Sequence, residues 1–206
     1  MPRTAGSSTA EAAFYFDLAS PLAYLAAERI LHVLAAPAEW QPVLARELSG
    51  AETFDAWRCE QERDVFREEV QRRARALSLQ PLRWPEDFPF DSTLAMRAAT
   101  YAKSIGRTVP FAQAAFRQAF AGGHSLALMD YVLIAAAACE MHPTAVIKGT
   151  QLASVDRRLA AATAQAASLG VSDVPAVRVG EHVWSGAHCV EEAAGHMRAM
   201  TGAPTR

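Results

Sequence analysis

Apolar positions near the start of the chain predict a strand, a helix and a second strand. The apolar run from Ala12 to Asp17 is typical of a buried strand. Ser20-Pro21 then supplies a capping hydroxyl and a first-turn proline, and apolar residues continue at helical spacing until Ala36-Pro37. Glu39 to Leu44 predicts the second strand, which Pro42 places at a sheet edge or a bulge. Together these elements predict a βαβ unit.

Helical periodicity replaces the strand pattern from Ser49 to about Cys139. Four or five helices without an intervening strand are expected in this block. The breaks between them fall at Gln80 to Pro89, Gly106, Gly122-Gly123 and Pro143. A further helix is predicted from Gln151 to Ala167.

After Gly170 the spacing of apolar residues changes from the helical pattern to one typical of strands. Val171 to Arg178 and His182 to Trp184 are two short β-like runs joined by Gly180-Glu181, which is typical of a hairpin. A last helix is predicted from Glu191 to Met200. The expected order is therefore β-α-β, a helical block, and α-β-β-α.

Composition narrows the class of protein. The 206 residues are 51% hydrophobic and 20% charged, with a formal net charge of −2, as in ordinary globular proteins. This balance gives no general attraction to nucleic acid. Arginines between Arg58 and Arg75 alternate with acidic residues, so this segment is predicted to be a solvated helix face.

The cysteines predict a reducing compartment. Cys59, Cys139 and Cys189 are odd in number and widely spaced, which fits neither a disulfide framework nor a zinc site. We therefore expect a cytoplasmic protein. The longest apolar run, Val132 to Cys139, is too short for a membrane span, and residues 1–11 are expected to be a flexible leader.

Two positions could carry chemistry next to a helix or strand start. A hydroxyl at Ser20 would lie beside unpaired backbone donors that favour an anion, including a ligand's thiolate, although a plain helix cap is the simpler interpretation. Val174-Pro175 precedes a strand and is a place for a cis peptide bond, with a trans proline as the ordinary alternative.

The segment from Trp184 to His188 leads into the final helix. Gly186 permits close backbone approach, and His188 is expected at or near the helix start, where a surface cap is the alternative interpretation. The histidines lack metal-ligand spacing, so no metal is expected. Serine-hydrolase, phosphate-loop and dinucleotide patterns are also absent from the sequence.

Several motifs together resemble a known family. They are FYFDLASPLAYLA, WQPVL, FPFDSTLAMRAA and GVSDVPAVRVGEHVWSG, with the helical block between them. The chain resembles the 2-hydroxychromene-2-carboxylate isomerases and the related kappa-class glutathione transferases, from about Phe14 to Met200. The resemblance implies an α/β thioredoxin fold with an inserted all-helical domain. It divides the chain into a discontinuous thioredoxin-like domain, residues 12–48 and 150–202, and a helical domain, residues 49–149.

The resemblance also implies a site. Ser20 stands where redox relatives carry the first cysteine of a CxxC motif, and it would donate a hydrogen bond to the thiolate of glutathione or another small thiol. The expected thiol-binding residues are Val174, an implied cis Pro175, Trp184, Gly186, Ala187 and His188. Pro21, Tyr24 and Asp91 are expected to line the substrate cleft. A small-molecule substrate and a homodimer are further expectations.

Three positions depart from the family pattern. Relatives commonly have Asn where this chain has Ala51 and in the position of Asp91, and a Ser/Asn-Asp-Arg run where it has Ala187-His188-Cys189. Each lost polar partner would cost about 1 to 3 kcal/mol of binding free energy. A protonated His188 would offer a carboxylate a new partner.

The leading interpretation is a thiol-dependent isomerase of an aromatic or unsaturated carboxylate. Kappa-like glutathione conjugation stays open as an alternative. The altered positions also allow a non-catalytic binding module. A further alternative is chemistry by the protein's own Cys189, because a thiolate is stabilised near a helix N-terminus.

Overall fold

The computed structural model describes residues 11–50 and 60–201, apart from the Thr201 side chain. Four strands form a mixed sheet in the order β2-β1-β3-β4. The strands are β1 (Ala12–Phe16), β2 (Ala38–Pro42), β3 (Ala176–Val179) and β4 (His182–Ser185). Strands β1 and β2 are parallel, whereas β1 with β3 and β3 with β4 are antiparallel. The predicted α/β thioredoxin fold with a helical insertion is confirmed.

Helices cover the sheet and fill the chain between its two halves. They are α1 (Pro21–Ala27), α2 (Ile30–Val33), α3 (Glu60–Ala76), α4 (Thr93–Ser104), α5 (Thr108–Phe120), α6 (Met129–Ala137), α7 (Pro143–Thr150), α8 (Ala153–Ser168) and α9 (Cys189–Thr201). A short 3-10 turn spans Ala45–Glu47. The predicted edge position of the strand with Pro42 is confirmed, because β2 is an outer strand of the sheet.

The single helix predicted from Ser20 to Ala36 is wrong, because the structure divides it into α1 and α2. The Arg29 N–H donates to the Ala26 carbonyl three residues back, at 3.1 Å, which tightens the helix. The Arg29 side chain takes the next carbonyl, with Nε donating to the Leu25 oxygen at 3.0 Å. At the break between α1 and α2, the Arg29 side chain therefore occupies the Leu25 carbonyl that the Arg29 backbone N–H would use in a continuous α-helix.

The strand predicted from Val171 is also too long. The Val171 N–H donates to the Ala166 carbonyl at 3.0 Å, and Gly170 has a φ of 90°. These residues therefore close α8 in the manner of a glycine-terminated helix, and β3 begins only at Ala176.

One hydrophobic core joins the sheet to the inserted helices. Phe16 of β1 lies 5.9 Å from Phe116 of α5, measured between ring centroids. Tyr24 of α1 lies 5.8 Å from Phe120 of α5 in a stacked arrangement. The domain boundaries at residues 48–49 and 149–150 stay a prediction, but the two predicted domains share this buried aromatic cluster.

Candidate active site around Ser20 and Pro175

Ser20 ends the loop between β1 and α1 and caps that helix. Its backbone is extended, Pro21 follows at the first helical position, and Ser20 Oγ accepts a hydrogen bond from the Ala23 N–H at 3.2 Å. Ser20 is only 3% exposed. Across residues 11–50 and 60–201, this contact is the only one recorded for Oγ, and in it Oγ is an acceptor. The hydroxyl group therefore has a donor that no described acceptor takes up.

A buried carboxyl group supports the Ser20 loop. Asp17 Oδ1 accepts from the Ala19 N–H at 2.9 Å, and Oδ2 accepts from the Ala45 N–H at 3.0 Å. Burial raises the pKa of Asp17, although these hydrogen bonds oppose the rise. The sequence showed an acid at the end of the strand, but nothing in it predicted that Asp17 joins the loop to the segment after β2.

Pro175 and the Ser20 loop lie at the same end of the two central strands, β1 and β3. The pairing of Tyr15 with Ala176 brings the start of β3 beside the end of β1. The Val174–Pro175 peptide bond is cis, as the resemblance implies. The Val174 N–H donates to the Asp173 carboxylate at 2.7 Å, so a ligand backbone that pairs with this N–H has to replace Asp173.

The segment from Trp184 to His188 divides between two environments. Gly186 has a φ of 86°, and its N–H donates to the Pro175 carbonyl at 2.8 Å, which ties the segment to the proline. The Trp184 ring contacts two imidazoles, with centroids 5.9 Å from His182 and 5.1 Å from His196. Ala187 and His188 instead line a cavity next to α1.

This cavity has a volume of about 260 Å³ and lies between α1, α3 and the start of α9. Hydrophobic side chains from α1 and α3 form much of its wall, and its polar lining residues are Arg29, Arg73, His188 and Glu191. Leu22, two residues after Ser20, is part of the lining. The cavity was not foreseen, because the sequence pattern had placed Arg73 on a solvated helix face.

That expectation for the charged stretch is partly wrong. Arg67 lies over the rings of Trp84 and Phe88, 5.5 and 5.9 Å from their centroids. A guanidinium over an aromatic face is attracted by the ring quadrupole, so Arg67 belongs to a packed surface. The described part of the stretch, α3, therefore combines solvated positions with positions that contact the rest of the protein.

The role of Pro21, Tyr24 and Asp91 in a substrate cleft stays a prediction, and the structure gives the surroundings of each. Pro21 is buried as the first residue of α1. Tyr24 is 4% exposed and packs in the core, and burial raises the pKa of its hydroxyl. Asp91 is exposed, and it accepts from the Thr93 N–H and pairs with Arg46, both at 2.9 Å. The Thr93 side chain, which also donates to it, lowers the pKa of Asp91 most.

Cys189 does not have the exposed thiolate that the sequence suggested. It is the first residue of α9, as expected for a thiol near a helix start, but it is fully buried. Burial raises the pKa of the Cys189 thiol to about 12, and the nearby Arg29 only partly offsets this. A protonated, buried thiol is a poor nucleophile at neutral pH, so the alternative of chemistry through Cys189 is wrong.

Ala51 and Cys59 lie outside the described residues. Over residues 11–50 and 60–201, no group of three or more His, Cys, Asp or Glu side chains is placed to hold a metal ion. In the same part of the chain, every helix is too short or too polar to cross a membrane.

Comparison with known proteins agrees with this architecture. A family model described as a DSBA-like thioredoxin domain matches residues 12–198. None of the curated proteins matches the chain.

Three solved structures illustrate the likeness of fold. A 2-hydroxychromene-2-carboxylate isomerase has a TM-score of 0.79 at 18% identity, covering 94% of this chain and 99% of its own. A probable DsbA oxidoreductase from Streptomyces coelicolor has a TM-score of 0.73 at 18% identity, covering 96% and 92%. The cytosolic disulfide reductase DsbM from Pseudomonas aeruginosa, in a structure with glutathione, has a TM-score of 0.63 at 13% identity, covering 93% and 97%.

Proposed function

The chain belongs to the DSBA-like thioredoxin domain family, and we propose that it is a thiol-dependent isomerase. Its substrate is an aromatic or unsaturated carboxylate, and its cofactor is glutathione or another small thiol. The same proposal includes a cytoplasmic location and a homodimer.

The observation that carries this proposal is the uncommitted hydroxyl proton of Ser20. The segment Ser20 to Ala23 contains no cysteine, so thiol–disulfide exchange through these four residues is chemically excluded. Chemistry that uses sulfur here requires a thiol that arrives with the ligand. Glutathione is a suitable candidate, because one fold relative is described with it.

The residues present fit such a thiol. Ser20 Oγ already accepts from the Ala23 N–H, so the hydroxyl can donate to a sulfur without losing its cap. Ser20 is only 3% exposed, so a sulfur atom bonded to its hydroxyl is largely withdrawn from water. A hydrogen bond to an anion is stronger in such an environment than in water. Bound as a thiolate, the cofactor supplies a nucleophile that adds reversibly to a conjugated double bond and permits rotation.

The chain's own residues have binding and positioning roles in this reaction. Ser20 donates a hydrogen bond to the sulfur and favours its ionised form. Asp17 holds the loop that carries Ser20, through the Ala19 and Ala45 N–H groups. The apolar wall of the cavity beside α1 offers a place for the hydrophobic body of the substrate.

The proposal predicts that turnover of 2-hydroxychromene-2-carboxylate requires both glutathione and Ser20. Ser20→Ala removes one hydrogen bond to an anion, which is worth about 1.5–3 kcal/mol, so we expect kcat/KM to fall roughly 10- to 100-fold. Absorbance of the substrate follows the reaction. Ser168→Ala, which removes an exposed hydroxyl at the end of α8, is the control and should retain full activity.

Turnover that is independent of glutathione, or unchanged in Ser20→Ala, would contradict the proposal. A product that retains sulfur, detected by mass spectrometry, would identify glutathione conjugation instead of isomerisation.

One observation favours a second candidate, a non-catalytic binding module. The Val174 N–H, with which the backbone of a bound thiol would pair, is already bonded to Asp173. A protein of this kind would bind glutathione without accelerating any reaction of the unsaturated carboxylate. The turnover measurement with saturating glutathione therefore separates the two candidates.

A further inference from the structure

The cavity beside α1 combines an apolar wall with an excess of positive charge. Leu22 and Leu25 of α1 face Ala76 and Leu77 of α3 across it, and Ala187 adds a further small apolar side chain. Arg73 and His188 lie together at the rim, with Arg73 Nη1 3.4 Å from His188 Nε2. A chamber of about 260 Å³ has room for a small ligand that is mostly hydrophobic.

The charges around the cavity do not cancel. Arg29 pairs with Glu191, so these two lining residues are neutral together. Arg73 pairs with Glu69, with Nε and Oε1 2.7 Å apart, but the same Glu69 also pairs with Arg72. One carboxylate therefore serves two guanidinium groups, which leaves one net positive charge on this trio, of which Arg73 is the member that lines the cavity.

In the Arg73–His188 contact the guanidinium donates and the imidazole nitrogen accepts, so an incoming anion would take over a donor that now faces a neutral acceptor atom. Glu69 occupies Arg73 Nε, while Nη1 faces the imidazole, which is not an anionic partner. The contact that the structure gives for His188 is with the Arg73 guanidinium and not with a carboxylate. Guanidinium groups bind carboxylates through two parallel N–H donors, a geometry that a lysine does not reproduce.

We propose that this cavity binds a small hydrophobic monocarboxylate, with its carboxylate at Arg73 and His188 and its apolar body against Leu22, Leu25 and Leu77. The site deepens the proposed function, because the identity of the ligand as the substrate rests on that function. It assigns Ala187 and His188 to the substrate and not, as the sequence predicted, to the thiol. Binding itself requires neither a thiol nor turnover. Arg73 and His188 are then the residues that determine specificity for an acid over its neutral analogue.

The test measures binding of trans-cinnamate and of its neutral analogue cinnamamide by titration calorimetry, without any thiol. We expect the full-length protein to bind cinnamate at least tenfold more tightly than cinnamamide. Arg73→Gln should remove most of this preference and leave the weak binding of cinnamamide unchanged. Arg75→Gln makes the same charge change at an exposed position of α3 outside the cavity lining, and should retain the preference.

His188→Leu provides a second variant, because His188 is exposed and its replacement does not disturb the core. It should weaken cinnamate binding several-fold. Equal affinity for the acid and the amide, no binding of cinnamate, or an undiminished preference in Arg73→Gln and His188→Leu would overturn the inference. If cinnamate binds through Arg73 but the protein shows no thiol-dependent turnover, only the proposed function is overturned. If the protein shows thiol-dependent turnover but no preference for cinnamate over cinnamamide, only the inference is overturned.

Discussion

Ser20 and Cys189 both stand at the start of a helix, but their surroundings give them different chemistry. The Ser20 hydroxyl has no described acceptor for its proton, and it lies at the end of β1 and β3 where the cis Pro175 also lies. Cys189 begins α9 with its thiol inside the core, where burial raises the thiol pKa to about 12. A helix start favours an anion only where the anion is not penalised more strongly by desolvation.

The raised pKa of Cys189 predicts how stability depends on alkaline pH. In the unfolded chain the thiol ionises at its ordinary value of 9.0, whereas in the folded protein it stays protonated until about 12. The resulting stability is fully present below pH 9.0 and is lost as pH rises toward about 12. The loss from this thiol is at most about 1.4 kcal/mol per pH unit.

The free energy of unfolding in urea measures this effect when it is determined at neutral pH and again one pH unit above the ordinary thiol pKa of 9.0. The free energy of unfolding should fall more for the wild-type protein than for Cys189→Ala, which has no thiol to ionise at this position. Equal losses in the two proteins, or fast alkylation of Cys189 in the folded state, would show that the thiol is exposed.

Single residues also mark the limit of what the sequence predicted. Ser20 and Pro175 were found because local motifs surround them. Asp17 and Arg73 were not, since their roles depend on partners far along the chain. Asp17 bonds to Ala45, and Arg73 contacts His188, which is separated from it by 115 positions. Local patterns carry no information about such pairings.

At the scale of elements, periodicity predicted the kinds of element well and their ends less well. The parallel β1–β2 pair, the helical block and the final hairpin were all expected. The ends moved where a hydrogen bond competes with the pattern, as the Arg29 side chain does at the end of α1 and the Val171 N–H does after α8. Such competition is decided by the folded geometry, which apolar spacing does not reveal.

Two helical glycines predict opposite effects of the same substitution. A Cβ at Gly149 of α7 would lie 2.6 Å from ring atoms of Tyr101 on α4. Overpacking costs about 1–3 kcal/mol, which exceeds the gain of about 1 kcal/mol from replacing glycine by alanine in a helix. Gly149→Ala should therefore destabilise the protein, as measured by urea unfolding.

Gly195 of α9 is the matched control, because a Cβ there meets no heavy atom within 4 Å. Gly195→Ala should raise the free energy of unfolding by up to about 1 kcal/mol. If Gly149→Ala proves as stable as Gly195→Ala, the contact between α4 and α7 is looser than the structure describes.

In the whole molecule, the inserted helices share a core with the side of the sheet that carries Phe14 and Phe16. The contacts of Phe16 and Tyr24 with Phe116 and Phe120 join the α1 side of the sheet to α5. The α1 helix that begins beside Ser20 is therefore fixed on one side by the insertion. On another side it forms the wall of the cavity that contains Arg73. The proposed thiol site and the proposed carboxylate cavity therefore share the same short helix.

The proposed function depends on Ser20 binding a thiol brought by a ligand and favouring its ionised form. The most direct test follows the ultraviolet absorbance of the thiolate while glutathione is titrated with base in the presence of the protein. Wild-type protein and Ser168→Ala should lower the apparent pKa of the bound thiol by about one unit or more below that of free glutathione, and Ser20→Ala should not. Glutathione that does not bind, or that ionises equally with wild-type protein and with Ser20→Ala, would contradict the claim.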